Sequence, residues 1–277
     1  MKPTSHRRDR GTRKPRGPAQ GRPDWRSDRP QRGTEDGRVQ LFGVHAVEAA
    51  LRNAARPVLR LLMTENAENR LAEAVAARHA APERVSPRDL DRLLGPDTVH
   101  QGVLLETEPL EEPDIPTLAA RADAGPLIVL DQVTDPHNVG AILRSGAVFG
   151  AAGLVMTRRH SPPLDGTLAK SASGALEFVP VALVQNLSRA IAELKEHSCT
   201  VLGLDGNAEH LIEDQPLTER VAFVLGAEGK GLRELTRQSC DRLVRIATNG
   251  PIGSLNVSNA AAISLHHASW KRTHHTD

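Results

Sequence analysis

The second half of the chain contains five short apolar runs, separated by helix-forming or polar stretches. The runs cover residues 127–130, 153–156, 200–204, 221–225 and 243–246. Continuous apolar strands that alternate with helices are typical of a parallel sheet covered on both faces. We therefore expect an α/β domain over residues 126–277, with helices that include 187–197 and 232–240.

Residues 38–108 form a smaller unit with its own alternation of strands and helices. Strand-like patterns at 41–42, 58–63, 84–85 and 102–107 alternate with helical patterns at 44–51, 67–79 and 87–94. Ser86 and Pro87 suit the N-cap and the first turn of the last of these helices. A small α/β domain is expected here. The segment 109–125, which opens with prolines and acidic residues, is expected to be a linker.

The N-terminal segment 1–37 differs from the rest of the chain in charge and composition. It holds 11 Lys and Arg against 5 Asp and Glu, a net of +6, whereas the remainder of the chain has 24 against 29, a net of −5. Aliphatic side chains are almost absent from it, so it cannot bury enough surface to fold. We expect a disordered basic arm that attracts phosphate backbones without reading sequence. A solubilising tail without any partner is the alternative.

Several classes of protein are disfavoured by what the composition lacks. The two cysteines, Cys199 and Cys240, have no ligand spacing, which argues against a disulfide framework or a metal site and favours a reducing compartment. No apolar run approaches the roughly 18 residues of a membrane span, and the N-terminus lacks the apolar core of a signal peptide. We expect a cytoplasmic protein without a membrane partner. Tyrosine is absent and phenylalanine numbers 4, so an aromatic platform for RNA bases is not expected.

Polar loops follow three of the predicted strands, which is where ligand sites lie in open α/β sheets. In the first loop, Asp135 and Pro136 suit the N-cap and first position of a helix. Apolar residues from Val139 to Phe149 form one stripe of this helix, and Arg144 projects away from it. Its guanidinium is free to meet a phosphate or a ribose, although an ordinary solvated arginine has the same pattern.

The second and third loops are rich in glycine and asparagine. Residues 223–232, FVLGAEGKGL, join a strand to a glycine-rich turn but lack the spacing of a phosphate-binding loop or of a dinucleotide fingerprint. Residues 249–260, NGPIGSLNVSNA, lead into an alanine-rich helix. Ser254 or Ser258 is expected to cap that helix. Small residues at 258–265 suit close packing against another helix or a second chain.

Together and in this order, the three loops resemble the three motifs of the SpoU branch of the SPOUT RNA methyltransferases. The matching patterns are N-x-x-x-x-x-R from Asn138, L-G-x-E-x-x-G from Leu225 and S-L-N-V-S from Ser254. The segments 42–47, FGVHAV, and 100–103, HQGV, resemble the ends of the ribosomal-protein-L30e-like substrate-binding domain of the family's rRNA enzymes. The nearest likeness is to the enzymes that 2′-O-methylate a guanosine of 23S rRNA.

This resemblance implies a fold and a cofactor. The fold class is α/β, with an L30e-like domain at 38–108 followed by a parallel-sheet SPOUT domain whose C-terminal part is tied into a trefoil knot. The cofactor is S-adenosyl-L-methionine, and its family contacts fall on Gly226, Ile246 and Leu255. The resemblance also implies a homodimer whose site is completed across two chains.

The family's functional polar residues map onto five positions of this sequence, and all five are retained: Asn138, Arg144, Glu228, Ser254 and Asn256. Arg144 is expected to stabilise the developing alkoxide and the adjacent phosphate, because a guanidinium stays protonated and is a poor base. Asn138 and Asn256 are expected to orient the ribose or the loop. Glu228 is expected to fix Arg144 or the nucleotide.

The sequence departs from the family pattern at two places, and some alternatives stay open. Ala247 stands where proline is common, and His266-His267 follow Leu265 where an aromatic residue and a glutamate are usual. These changes affect the adenine pocket and dimer packing rather than the chemistry. Alternatives are a tRNA 2′-O-methyltransferase of the same family, a non-catalytic RNA-binding relative, and a Rossmann-type enzyme. The last is disfavoured because Leu130 leads into Asp131-Gln132-Val133 rather than a glycine-rich loop.

Overall fold

A computed structural model describes residues 37–217, 220–251 and 253–274. The predicted basic arm, 1–37, lies outside the described residues except for Gly37. Among the described residues, no helix combines the length and the apolar character that a membrane span needs.

The smaller domain is a four-stranded mixed sheet with three helices. Its elements are β1 (Val39–Phe42), α1 (Val44–Arg52), β2 (Arg60–Met63), α2 (Glu65–Arg78), β3 (Glu83–Arg84), α3 (Pro87–Leu94) and β4 (Val103–Thr107). The strand order is β1-β4-β2-β3, and only the β2–β3 pair is parallel. The helix α3 begins as expected, because the backbone N–H and the hydroxyl of Ser86 both donate to the carboxylate of Asp89. The predicted small α/β domain is therefore present.

The segment predicted as a linker contains a packed helix, α4 (Ile115–Arg121). Asp114 caps it by accepting a hydrogen bond from the backbone N–H of Thr117 at 2.9 Å. Leu118 and Ala119 are fully buried in the same apolar cluster as the sheet residue Val129. The prolines that suggested an extended linker instead lie before the helix and in its first turn, where proline is tolerated.

The larger domain is a seven-stranded, wholly parallel sheet. Its strands are β5 (Leu127–Asp131), β6 (Gly153–Thr157), β7 (Val181–Val184), β8 (Thr200–Leu204), β9 (His210–Leu211), β10 (Val221–Gly226) and β11 (Arg242–Arg245). Its helices are α5 (Pro136–Val148), α6 (Gly166–Ser171), α7 (Leu187–Glu196), α8 (Glu234–Ser239) and α9 (Val257–His274), with a 3-10 turn at Ala175–Glu177. The five predicted strands are all present. The strands β7 and β9 were not predicted, and β9, with two residues, is too short to give a clear pattern.

The strand order places the three polar loops at one edge of the sheet. The order is β7-β6-β5-β10-β8-β11-β9, so β10 is inserted between β5 and β8, and β11 lies beyond β8. All neighbouring strands are parallel, so the carboxyl ends of β5, β8, β10 and β11 meet. The α/β fold class is confirmed, while the threading of the chain into a knot stays a prediction.

The two domains share a hydrophobic core and a buried ion pair. One apolar cluster includes Val47 of α1 as well as Leu176 of the 3-10 turn. The guanidinium of Arg56 donates to Glu177, with Nη2 and Oε1 2.7 Å apart, and both side chains are only 2% exposed. Arg56 Nη1 also donates to the carbonyl of Glu108 at 2.8 Å, and Asn53 Nδ2 donates to Glu177 at 2.8 Å. The small domain is therefore docked on the large one by side chains that are removed from water.

Candidate active site

A hydrogen-bonded cluster of two amides and one carboxylate joins the three polar loops. Asn138 lies on α5, Glu228 follows β10, and Asn256 directly precedes α9. Asn138 Nδ2 donates to Glu228 Oε1 at 3.1 Å, and Asn256 Nδ2 donates both to Glu228 Oε1 and to Asn138 Oδ1. We call these three residues the amide–carboxylate cluster. Residues up to 118 positions apart in the sequence thus meet at the common edge of the sheet.

Helix starts hold the outer members of this cluster in place. Asp135 accepts a hydrogen bond from the backbone N–H of His137 at 2.9 Å, which caps α5 just before Asn138. Asn256 Oδ1 accepts from the backbone N–H of Ser258 at 2.8 Å and from its hydroxyl at 2.6 Å. The cap of α9 is therefore Asn256, and the expectation that Ser254 or Ser258 would fill this role was wrong. An amide oxygen at this position satisfies the helix N-terminus while the amide nitrogen remains available to the cluster.

Beside the cluster lies a cleft of about 590 Å³. The three residues predicted to contact the cofactor, Gly226, Ile246 and Leu255, all line it, and so does Ser254. Its apolar walls come from Leu225, Ile246, Leu255, Val257 and Ala260. A volume in this range matches that of small-molecule sites, which are mostly apolar with a few polar groups.

Gly226 lines this cleft at a position where no side chain fits. A Cβ atom built on Gly226 would lie 2.1 Å from the carbonyl carbon of Gly231 and 2.4 Å from the backbone nitrogen of Leu232. The turn closes on itself at this point, since Ala227 and Gly231 form an isolated bridge. The backbone of the turn therefore stands bare at the cleft wall, where its polar groups can reach a bound ligand.

A buried carboxylate at the end of β5 anchors the same turn. Asp131 is 1% exposed. It accepts hydrogen bonds from the backbone N–H of Arg233 at 2.9 Å and from Arg233 Nε at 2.6 Å. Sequence reasoning did not single out Asp131. The available signal was a charged residue at the end of an otherwise apolar strand, because a buried charge needs a partner.

Arg144 stands apart from the amide–carboxylate cluster. It is exposed on α5, six residues after Asn138. On an α-helix this spacing separates the two residues by about 9 Å along the helix axis and by about two thirds of a turn around it. Among the described residues, no hydrogen bond or ion pair engages its guanidinium. Glu228 accepts hydrogen bonds from two amides and not from Arg144 of the same chain. The expected contact between Glu228 and Arg144 therefore does not form within one chain.

Neither cysteine adds a reactive thiolate. Burial, reinforced by the neighbouring Asp241 carboxylate, raises the pKa of Cys240 to about 12. Burial also raises the pKa of Cys199. Both thiols are therefore protonated at neutral pH. In the described part of the chain, no group of three His, Cys, Asp or Glu side chains is placed to hold a metal ion.

Comparison with known families covers both domains. A profile of the SpoU rRNA Methylase family matches residues 125–266. A profile described as RNA 2′-O ribose methyltransferase substrate binding matches residues 40–113. The chain belongs to the SpoU rRNA methylase family. The resemblance of the three motifs is thereby confirmed.

Individual SpoU relatives match along nearly their whole length. The chain is 36% identical over 240 residues to the 23S rRNA (guanosine-2′-O-)-methyltransferase RlmB of Escherichia coli K12, covering 84% of this chain and 98% of that protein. It is 38% identical over 241 residues to the protein of the same name from Pseudomonas putida, covering 84% and 96%. The match to these SpoU proteins therefore includes both folded domains.

The fold of this SpoU chain is also found in solved structures. The SpoU methyltransferase AviRb from Streptomyces viridochromogenes superposes with a TM-score of 0.74 at 24% identity, covering 87% of this chain and 92% of that one. The structure of AviRb in complex with AdoMet gives a TM-score of 0.73, also at 24% identity, covering 89% and 95%. At this level of identity, the likeness establishes the fold alone.

Proposed function

We propose that this SpoU protein is an S-adenosylmethionine-dependent methyltransferase that methylates the ribose 2′-hydroxyl of a guanosine in 23S rRNA. The observation that carries the proposal is a cleft lined by the second and third SpoU motifs, next to the amide–carboxylate cluster that joins all three motifs. The chain that contains it is 36% identical to RlmB over 84% of its length. A cytoplasmic location is part of the proposal, since an rRNA substrate requires it.

The residues that line the cleft suit the chemistry of the cofactor. Ile246 and Leu255 offer apolar surface for adenine, and the bare backbone at Gly226 offers hydrogen bonds to its edge. S-adenosylmethionine supplies an electrophilic methyl group on a sulfonium. The protein's task is then to hold the acceptor oxygen in line with that methyl group, and positioning of this kind is worth roughly 7 to 11 kcal/mol.

The second requirement for methyl transfer is to stabilise the negative charge that develops on the acceptor oxygen. A ribose hydroxyl becomes a good nucleophile only as it loses its proton, and negative charge then develops on the oxygen. Arg144 is exposed and unengaged among the described residues, so its guanidinium can stabilise that oxygen and the adjacent phosphate. The proton leaves to the phosphate or to water.

The amide–carboxylate cluster serves to fix the loops and the nucleotide. Glu228 holds the amides of Asn138 and Asn256 in one orientation, so the three motifs are locked together beside the cleft. Ser254 is exposed at the cleft wall, where its hydroxyl can contact the ribose or the cofactor. These roles can be separated by substituting each side chain and comparing cofactor affinity with the rate of methyl transfer.

Mapping of 2′-O-methyl sites in total RNA, with and without the gene, tests the substrate directly. We expect one guanosine of 23S rRNA to lose its methyl group when the gene is absent and to regain it when the purified protein is added with S-adenosylmethionine. Loss of a tRNA site instead would assign the protein to the tRNA-directed members of the family. An unchanged RNA would contradict the proposed activity.

Gly226→Ala is expected to weaken binding of S-adenosylhomocysteine at least about tenfold, which is about 1.4 kcal/mol. The added Cβ would lie 2.1 Å from the Gly231 carbonyl carbon, so the turn that lines the cleft must move. Titration calorimetry on the full chain measures the effect. Gly250→Ala is the control, because a Cβ at Gly250 meets nothing within 4 Å. Unchanged affinity in a folded Gly226→Ala protein would contradict this placement of the cofactor.

We also propose that the protein is a homodimer. Helices α5 and α9 pack against each other, and large apolar side chains remain exposed on them: Val148 at 70%, Ile263 at 38% and Trp270 at 48%. Such side chains are typical of a surface that a second chain covers. Arg144 lies on the same helix α5, one turn before Val148, so a dimer through this face would place Arg144 at the interface.

Ile263→Asp is expected to convert the dimer to a monomer in sedimentation equilibrium, because a carboxylate would be buried without a partner. Leu93→Asp, on the small domain and 47% exposed, is the matched control and should remain dimeric. If the site is shared, a mixture of Arg144→Ala and Glu228→Ala chains regains part of the activity that each lacks. A monomeric wild-type protein would refute the dimer.

A further inference from the structure

The cleft has a charged end that the motifs do not account for. Asp205 follows β8, and Arg245 ends β11. Leu204 and Val244 are partners in the parallel pairing of these strands, so Asp205 and Arg245 stand side by side at the next position. Arg237 of α8 also lines the cleft and forms an ion pair with Asp205. We call Asp205, Arg237 and Arg245 the charged end.

The carboxylate of the charged end is already satisfied without Arg245. Asp205 Oδ1 accepts a hydrogen bond from the backbone N–H of Asn207 at 2.9 Å. Its Oδ2 accepts from Arg237 Nη1, and the Asp205 side chain is 12% exposed. Two guanidinium groups against one carboxylate leave this end of the cleft with one positive charge in excess.

Arg245 is the group that carries the excess charge. Its side chain is partly buried, and among the described residues neither a hydrogen bond nor an ion pair engages its guanidinium. A partly desolvated guanidinium favours an anion that can accept two parallel hydrogen bonds, such as a carboxylate. The free position at the charged end therefore fits a carboxylate of a ligand in the cleft.

We propose that Arg245 binds the α-carboxylate of the amino-acid part of S-adenosylmethionine; this rests on the proposed function. The α-carboxylate is the only anionic group of that molecule, since its sulfonium and ammonium groups are cations. The apolar wall at Ile246 and Leu255 takes the adenine, and the charged end takes the opposite end of the same ligand. Arg245 is thus a specificity-determining residue that selects cofactors with an intact amino-acid part.

Comparison of two ligands isolates this contact from the rest of the cleft. S-adenosylhomocysteine has the carboxylate, whereas 5′-methylthioadenosine keeps the adenosine and sulfur but lacks the amino-acid part. Arg245→Gln in the full chain is expected to lower the affinity for S-adenosylhomocysteine about tenfold in titration calorimetry. This change is in line with the loss of a charge-assisted pair. Its affinity for 5′-methylthioadenosine should equal that of the wild type.

Arg189→Gln is the matched control, because Arg189 is an exposed arginine on α7 and is not part of the cleft lining. Both ligands should bind it as they bind the wild type. If Arg245→Gln lowers the affinity for both ligands equally, or lowers neither affinity, the assignment of Arg245 is overturned while the proposed function stands. Wild-type protein that binds neither ligand would overturn the proposed function and this assignment with it.

Discussion

Replacement of Arg144 by alanine is expected to slow methyl transfer at least about 100-fold and to leave cofactor affinity almost unchanged. One preorganised donor that faces developing charge on an oxyanion is typically worth this much. The cofactor cleft is lined by residues from 204–207, 225–232, 237, 245–248 and 253–260, so Arg144 is not among its walls. The separation of the two effects distinguishes a transition-state role from a binding role.

Single-turnover methylation of rRNA and titration with S-adenosylhomocysteine measure the two effects in the same protein. Arg144→Lys should rescue poorly, because a point charge cannot reproduce the two-pronged contact of a guanidinium. Arg189→Ala, an exposed arginine on α7, is the matched control and should be fully active. Near-normal turnover by Arg144→Ala would show that the side chain is only a solvated helix arginine.

Replacement of Glu177 by alanine is expected to destabilise the protein by about 3 to 5 kcal/mol. The change leaves the guanidinium of Arg56 at a site where the side chain is 2% exposed, with the carbonyl of Glu108 as a remaining acceptor. Asn53 Nδ2 also loses its acceptor. An uncompensated buried charge costs far more than the ion pair itself contributes, which is why the expected loss is large.

Denaturant unfolding, followed by circular dichroism, measures this loss. Glu83→Ala is the control: Glu83 accepts two hydrogen bonds from Arg60, but both side chains are about half exposed, so little change is expected. The double variant Glu177→Ala with Arg56→Met should recover part of the stability, because no charge is then buried alone. A Glu177→Ala protein as stable as the Glu83→Ala control would refute the buried pair.

The strands of the sheet and the location of the site could be predicted because both depend on local patterns. Continuous apolar runs mark buried parallel strands, and the polar loops that follow them meet at one edge. The structure brings the motif residues Asn138, Glu228 and Asn256 together at this edge, whereas their roles stay predictions. The packed helix α4 was missed because its prolines resemble those of a linker, although Asp114 caps it.

Contacts between distant residues could not be predicted in the same way. Arg56 and Glu177 are 121 positions apart, and Asp131 and Arg233 are 102 apart. Nothing in the neighbourhood of either residue specifies its partner, since an arginine and a carboxylate occur at many exposed positions. Only the folded chain shows which of these charges are removed from water and must therefore be paired.

The shared core and the Arg56–Glu177 ion pair hold the two domains in one fixed arrangement. The small domain matches the family's RNA substrate-binding profile, and the large domain carries the cleft beside the three motifs. Under the proposed function, this packing fixes the distance that an RNA bound to the small domain must span to bring its target ribose to the cleft. Under the proposed function, we therefore expect a guanosine at a different distance from the RNA segment bound by the small domain to stay unmodified.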